Sequence, residues 1–325
     1  MLRMQHENID QLFHGVVQNK HGHGEMIPLR FSNQQLVEYG RAERFRQRSL
    51  CPAGVCLDFT TDASSVNITY QIKHNVRGMA QFDIYLNGAF VHWVEIANST
   101  TEGVVQYQIP EGTARIKRIT IYLPHTVELM INEIRFSAGA MVEPVAKREK
   151  NLLCLGDSIT QGMDAVRPSL TYPVQLARFL DMNLLNQGVG GYFFDKNSLD
   201  PSLSYRPDLV TVAYGTNDWK RHSNIQEFEK MCSEYLQCLV GYTDVPIYVL
   251  TPLWRVNSDE QRPNGTLADI RNSIRQICSD LPNITVIDGM DLVPQMKGFY
   301  TDGLHPTEEG FLCMSLGILK NFGAC

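Results

Sequence analysis

The stretch NLLCLGDSITQG, residues 151–162, sets a short apolar run directly against an acid, a hydroxyl and two glycines. A run of this kind that ends at glycine reads as a buried strand feeding a helix, the unit from which parallel sheets covered on both faces are built. Four more short apolar runs follow: MNLLNQG from residue 182, DLVTVAYG from 208, VPIYVLTP from 245 and NITVIDG from 283. Helical-length segments separate them, among them TYPVQLARFL (171–180), IQEFEKMCSEYLQCLVG (225–241) and LADIRNSIRQICSD (267–280). Residues 151–325 are therefore expected to form an α/β domain, a doubly wound parallel sheet of flavodoxin-like order 2-1-3-4-5.

The sequence before this half follows a different pattern. From about residue 50 to 136 it alternates polar and apolar residues and is rich in β-formers, as in VCLDFTT, SSVNITYQI, AQFDIYLNG and RIKRITIYLP. Asn87-Gly88, between two alternating runs, is a strong hairpin signal. Residues 1–140 are expected to form an all-β sandwich of jelly-roll type, with an early strand or two and a short helix in the first 49 residues. SAGAMVEPVAKREK (137–150) combines small residues, a proline and charges, so 141–150 reads as a linker.

Composition narrows the function classes. The 325-residue chain is 43% hydrophobic, enough for at least one full core. Its formal charge of -6 comes with no long basic run, which argues against nucleic acid or an anionic membrane as partner. No apolar segment reaches the roughly 18 to 20 residues of a membrane span, and the start MLRMQHENIDQLFHG lacks the apolar core of a signal peptide, so a cytoplasmic location is expected. Eight scattered cysteines read as free, mostly buried thiols. The four Asn-x-Ser/Thr triplets matter only on a secreted chain. His21 and His23 in HGHGE have no second pair of ligands at zinc spacing, and no metal or other cofactor is expected.

In a doubly wound sheet, ligands bind beyond the carboxyl ends of the strands, where strand order reverses. The residues placed there are Gly156-Asp157-Ser158, then Asn186 to Gly191, Gly215-Thr216-Asn217-Asp218, Thr251 to Trp254, and Thr301 to Pro306. A serine hydroxyl is a weak nucleophile unless a base takes its proton and a third group orients that base. After Ser158 the chain offers two histidines, His222 and His305. His222 lies in the polar stretch DWKRHSN and reads as surface, whereas His305 has Asp302 three residues before it and is the better base. Donors for an oxyanion are available in the Ser158 N–H at a helix start, the flexible Gly190-Gly191 pair and the Asn217 side chain. Taken singly, each has a plain structural reading: Ser158 as a helix N-cap, Asp157 as a turn brace, Asp302 and His305 as a surface pair. Cap and nucleophile are also compatible in one residue.

The ordered blocks GDSIT (156–160), NQGVGG (186–191), GTND (215–218) and DGLHP (302–306) resemble the SGNH, or GDSL-type, serine hydrolases. The resemblance implies Ser158 as nucleophile, Asp302 and His305 completing a triad, and the Ser158 N–H, Gly191 N–H and Asn217 as oxyanion donors. Many relatives have serine before the glycine of the second block; here Gly190 takes that place, which leaves the choice between Gly190 and Gly191 open. The layout of β-sandwich then hydrolase is similar to a subset containing carbohydrate acetyl esterases and an acyltransferase-like branch of polyketide tailoring. It implies a small-molecule or carbohydrate O-acyl ester as substrate, with a short acyl group expected and the oligomeric state unassigned. The alternatives are an acyltransferase using the same acyl-enzyme, and an inactive carbohydrate-binding protein.

Trp219 and Trp254, at strand ends beside the expected site, are candidates for lining a substrate pocket as well as for packing. Trp93, in an alternating strand, reads as core or sheet surface, and the RAERFRQR cluster (41–48) as a solvated face. Arg167 is weighed between substrate and surface.

Overall fold

The computed structural model describes residues 9–22 and 24–322; His23 of the HGHGE stretch and Cys325 lie outside the described residues. The N-terminal half contains two antiparallel sheets. One runs in the order β1 (Phe13–His14), β4 (Cys56–Thr61), β9 (Lys117–Tyr122), β6 (Ala80–Leu86), β7 (Ala89–Ile96), with β11 (Val142–Pro144) also paired to β4. The other runs β2 (Gln18–Gly22), β3 (Glu25–Leu29), β10 (Val127–Phe136), β5 (Ser65–Asn75), β8 (Glu102–Gln108). Phe59, Phe82 and Ile121 of the first sheet share one core with Ile68, Val105 and Leu129 of the second. β6 and β7 are joined through Asn87 (φ 50°) and Gly88 (φ 84°), the two positive angles that a tight hairpin turn requires.

The C-terminal half holds a parallel sheet in the order β13 (Asn183–Gly188), β12 (Asn151–Gly156), β14 (Leu209–Ala213), β15 (Ile247–Leu250), β16 (Ile284–Ile287). This is the expected 2-1-3-4-5 order. Successive side chains of a strand point to opposite faces, and β12 divides accordingly. Leu153 and Leu155 pack with Phe228, Tyr235 and Ile274 of the helices Ile225–Val240 and Leu267–Ser279. Leu152 and Cys154 pack with Leu176, Phe311 and Met314 of the helices Tyr172–Phe179 and Glu308–Asn321. Among the described residues no helix is long and apolar enough to cross a membrane. The described cysteines are free thiols, and Cys51, Cys56, Cys154, Cys232 and Cys278 are buried.

The first 49 residues contribute more than one short helix. Helices Asn33–Tyr39 and Glu43–Ser49 turn Tyr39 and Phe45 toward the α/β half, where both rings meet Tyr192 edge-on at 4.8 and 4.9 Å. Buried Arg30 adds a second tie. Its Nε donates to Cys51 O at 2.6 Å, and its Nη1 donates to the carbonyls of Asn186 and Gly188 at the end of β13. Across the remaining contact between the halves, Tyr85 donates to Ser169 at 2.9 Å and His125 Nε2 stands 2.8 Å from Gly162 O. The sandwich half is thereby packed against the end of β13 and the segment that follows β12.

Candidate active site

β12 ends at Gly156, and the turn into the next helix leaves no room for a side chain there. A Cβ on Gly156 would sit 2.1 Å from Thr160 Oγ1 and 2.8 Å from Ala213 O. The helix Ser158–Gln161 is capped by Asp157, whose Oδ1 accepts the Ile159 N–H at 2.9 Å. The cap and the candidate nucleophile are thus separate residues: Asp157 satisfies the helix start, which leaves the Ser158 hydroxyl outside the capping contact. Burial pushes the Asp157 carboxyl up to about 7.

Ser158 and His305 are both nearly buried, and His305 Nε2 lies 2.8 Å from Ser158 Oγ. On the other side of the ring, Nδ1 lies 2.8 Å from Asp302 Oδ2. The loop holds the carboxylate in place, because Asp302 Oδ1 accepts the backbone N–H of Leu304 at 3.0 Å and of His305 at 2.9 Å. These contacts, the His305 side-chain hydrogen bond above all, hold the Asp302 carboxyl well below the usual carboxylate range. The ring can therefore take a proton at Nε2 while Asp302 fixes the proton on Nδ1.

A second carboxylate and an arginine from the sandwich half complete this corner. Arg77, just beyond β5, forms a two-point ion pair with Asp164 through Nε and Nη2, the latter at 2.6 Å. The same Nη2 lies 3.0 Å from Asp302 Oδ2 and 3.1 Å from His305 Nδ1. Asp164 is itself held at a positive φ of 72°, uncommon for a residue other than glycine. Asp164, Asp302 and His305 bring possible metal-ligand atoms within 4.8 Å of one another. The cation hydrogen-bonded to both carboxylates at that point is the Arg77 guanidinium. Sequence reading missed both Arg77 and Asp164, since nothing local marks either.

Above Ser158 lies the Gly190-Gly191 turn. The Gly190 N–H is donated to Gln161 Oε1 at 2.8 Å, whereas the N–H groups of Gly191 and Ser158 have no hydrogen-bond partner among the described residues. Gly191 has a φ of 76°, the left-handed region that glycine enters without penalty. Asn217 Nδ2 lies 3.1 Å from Asp157 Oδ2 and 3.0 Å from Tyr192 O, so both of its amide hydrogens are engaged. Close approach is built in from below as well: a Cβ on Gly188 would come within 2.3 Å of the Gln161 nitrogen.

The structure also places the other residues singled out in the sequence. Trp219 is fully buried, donates its indole N–H to Gly265 O at 3.0 Å and lies under the guanidinium groups of Arg262 and Arg255; it packs and lines no open pocket. Trp254 is half-buried and packs at 5.1 Å against Tyr300. His222 is buried, not on the surface, because its ring packs on Phe228 and braces Asp218 at 3.4 Å. Arg167 neither faces solvent freely nor reaches Ser158; it lies 3.6 Å over the Phe90 ring of the sandwich. Trp93, 53% exposed, stacks on Phe90 on the sheet surface. The 41–48 cluster is only partly a solvated face: Phe45 is buried, and Arg48 Nη1 donates to Gly190 O at 2.7 Å.

Residues 154–311 match the model of the GDSL-like lipase/acylhydrolase family. No curated protein matches the chain in sequence. Among solved structures the chain is similar to the salicylyl-acyltransferase SsfX3 from a tetracycline biosynthetic pathway, with a TM-score of 0.81, 20% identity, and coverage of 96% of this chain and 94% of that one. It is also similar to a Bacteroides ovatus protein described as a GDSL-like lipase, with a TM-score of 0.74, 20% identity and the same coverage of both chains. A family two carbohydrate esterase from Clostridium thermocellum aligns with a TM-score of 0.64 and 15% identity over 84% of this chain and 94% of that one. At these identities the likeness is one of fold.

Proposed function

From the premise that the C-terminal half is a GDSL-like lipase/acylhydrolase domain, we propose that the protein is a serine esterase that cleaves short O-acyl esters of a carbohydrate or another small alcohol. The observation that carries this reading is the run of two contacts of 2.8 Å from Asp302 through His305 to Ser158. Ser158 Oγ attacks the ester carbonyl as its proton passes to His305 Nε2, and Asp302 stabilises the imidazolium that results. The carbonyl oxygen takes up negative charge between the N–H groups of Ser158 and Gly191. Asn217 contributes when one of its hydrogens is shared with the oxyanion, in keeping with catalytic hydrogen bonds that tighten only in the reacting complex. Collapse of the tetrahedral species breaks the C–O bond, and Nε2 returns the proton to the departing alkoxide. Water, deprotonated by Nε2, then attacks the acyl-Ser158 carbonyl and releases the acid.

An acceptor alcohol in place of that water would make the same acyl-enzyme a transferase. Product analysis distinguishes the two. The purified protein is incubated with aryl acetate, butyrate and hexanoate, alone and with added sugars or polyols. Free acid as the main product in every mixture supports the esterase; acylated alcohol as the main product replaces it with a transferase. Absence of Ser158-dependent turnover on the whole panel removes the enzymatic reading and leaves a carbohydrate-binding protein.

A further inference from the structure

Arg48 stands at the candidate site with no anion to balance it. It belongs to the helix Glu43–Ser49, and its backbone carbonyl is fixed by Arg30 Nη2 at 3.2 Å and Gln161 Nε2 at 3.4 Å. One side-chain nitrogen, Nη1, is spent on Gly190 O at 2.7 Å. Nε and Nη2 make no hydrogen bond, and no carboxylate pairs with the group, among the described residues. Its charged neighbours are Arg44 and Arg77, and burial together with these like charges pulls its pKa down. Neighbouring Arg46, by contrast, is paired with Glu43 and Glu128. Arg77 has its charge met by Asp164 and Asp302.

A half-buried guanidinium without a counter-ion is costly unless something anionic arrives to pair with it. The position of Arg48 indicates what arrives. Its Nη1 lies 2.9 Å from the point where a Cβ on Gly191 would stand, so the guanidinium borders the turn whose Gly191 N–H has no hydrogen-bond partner among the described residues. We infer that the ester substrate carries a carboxylate or similar anionic group, and that Arg48 of the N-terminal half binds it beside the Gly190-Gly191 turn. This rests on the esterase reading above and adds the substrate's charge to it. The planar, always-charged fork of arginine suits a carboxylate, which it can hold through the two nitrogens left free. The anionic group belongs either to the acyl part or to the alcohol part of the ester.

Two pairs of esters separate these sources. Monoaryl succinate is compared with the aryl butyrate, and 4-acetoxybenzoate with its methyl ester, using the unmodified protein, Arg48→Gln and Arg48→Lys. In at least one pair the unmodified protein should favour the charged member. There Arg48→Gln should lower the charged-to-neutral ratio of kcat/KM about ten- to hundred-fold, the range for a hydrogen-bonded charge, with part of the ratio kept by Arg48→Lys. The pair that responds identifies which part of the ester carries the anion. A second measurement needs no variant: glutarate should compete with the neutral ester in the unmodified protein when sodium chloride of equal ionic strength does not. Ratios that stay constant in both pairs, including equal losses on both members, overturn the inference, as does a lack of competition by glutarate. Turnover of the neutral esters with no charge preference overturns this inference alone. No Ser158-dependent turnover of any ester overturns the esterase reading and the inference with it.

Discussion

Arg77 Nη2, contributed by the N-terminal half, lies 3.0 Å from Asp302 Oδ2 in the C-terminal half, 225 residues further along the chain. The same nitrogen is 3.1 Å from His305 Nδ1, so the proposed acid–base pair is completed across the contact between the halves. Replacing Arg77 by Gln should lower kcat/KM about ten- to hundred-fold, because a charge-assisted hydrogen bond to a partly buried carboxylate is lost. Arg77→Lys should recover little, since a single ammonium cannot reproduce the two-point contact with Asp164. Unchanged kcat/KM in a folded Arg77→Gln variant of lower Tm would reduce Arg77 to a structural tie.

Asn217→Ala should lower kcat by about 10² to 10³, the range for loss of one oxyanion donor. It also removes the donor that Asp157 and Tyr192 O share, so a fall in Tm should accompany the loss. Unchanged turnover in the folded variant takes Asn217 out of the oxyanion site.

Gly188→Ala tests the close approach of β13 to the helix that starts at Ser158. The added Cβ would come within 2.3 Å of the Gln161 nitrogen, and backbone, unlike a side-chain tip, cannot rotate away. Overpacking of this kind costs about 1–3 kcal/mol. Denaturant unfolding should show that loss with turnover reduced as well; a variant of unchanged midpoint and turnover contradicts the tightness described here.

His125 predicts acid sensitivity of the fold. Burial lowers its pKa from 6.5 to about 4, while Nε2 stands against Gly162 O in the C-terminal half. A histidine kept neutral in the folded state contributes stability above its unfolded pKa and loses it as pH falls toward its folded one. Between pH 6.5 and about 4 the unmodified protein should therefore lose up to about 3 kcal/mol relative to His125→Gln, which does not titrate there. Parallel stability curves for the two proteins across that window would exclude His125 as the source.

The parallel sheet was legible because β12 to β16 are short apolar runs at helical spacing, and their order places the 156–160, 186–191, 215–218 and 302–306 blocks at one edge. His305 was recoverable from its spacing to Asp302, three residues and one turn. Arg30, Arg48 and Arg77 were not, because each acts on a residue at least 87 positions away through a guanidinium whose target no local pattern predicts. His222 was misread for a related reason: the polar stretch around it suggested the surface, but packing on Phe228 and against Asp218 buries it. Trp219, weighed between pocket and packing, is buried by the loop that carries Gly265. The helix cap went to Asp157 and not to Ser158 because Asp157 lies just outside the helix, where its carboxylate reaches the free Ile159 N–H, whereas Ser158 is already the first helical residue.

The central claim is that Ser158 carries the acyl group. The most direct measurement is mass spectrometry of the intact protein and its peptides after rapid acid quenching during turnover of an aryl acetate. The peptide bearing Ser158 should gain the mass of one acetyl group, abolished in Ser158→Ala and accumulating in His305→Ala only with far slower acylation. Turnover that persists in Ser158→Ala, or an acyl group on a different residue, would contradict it.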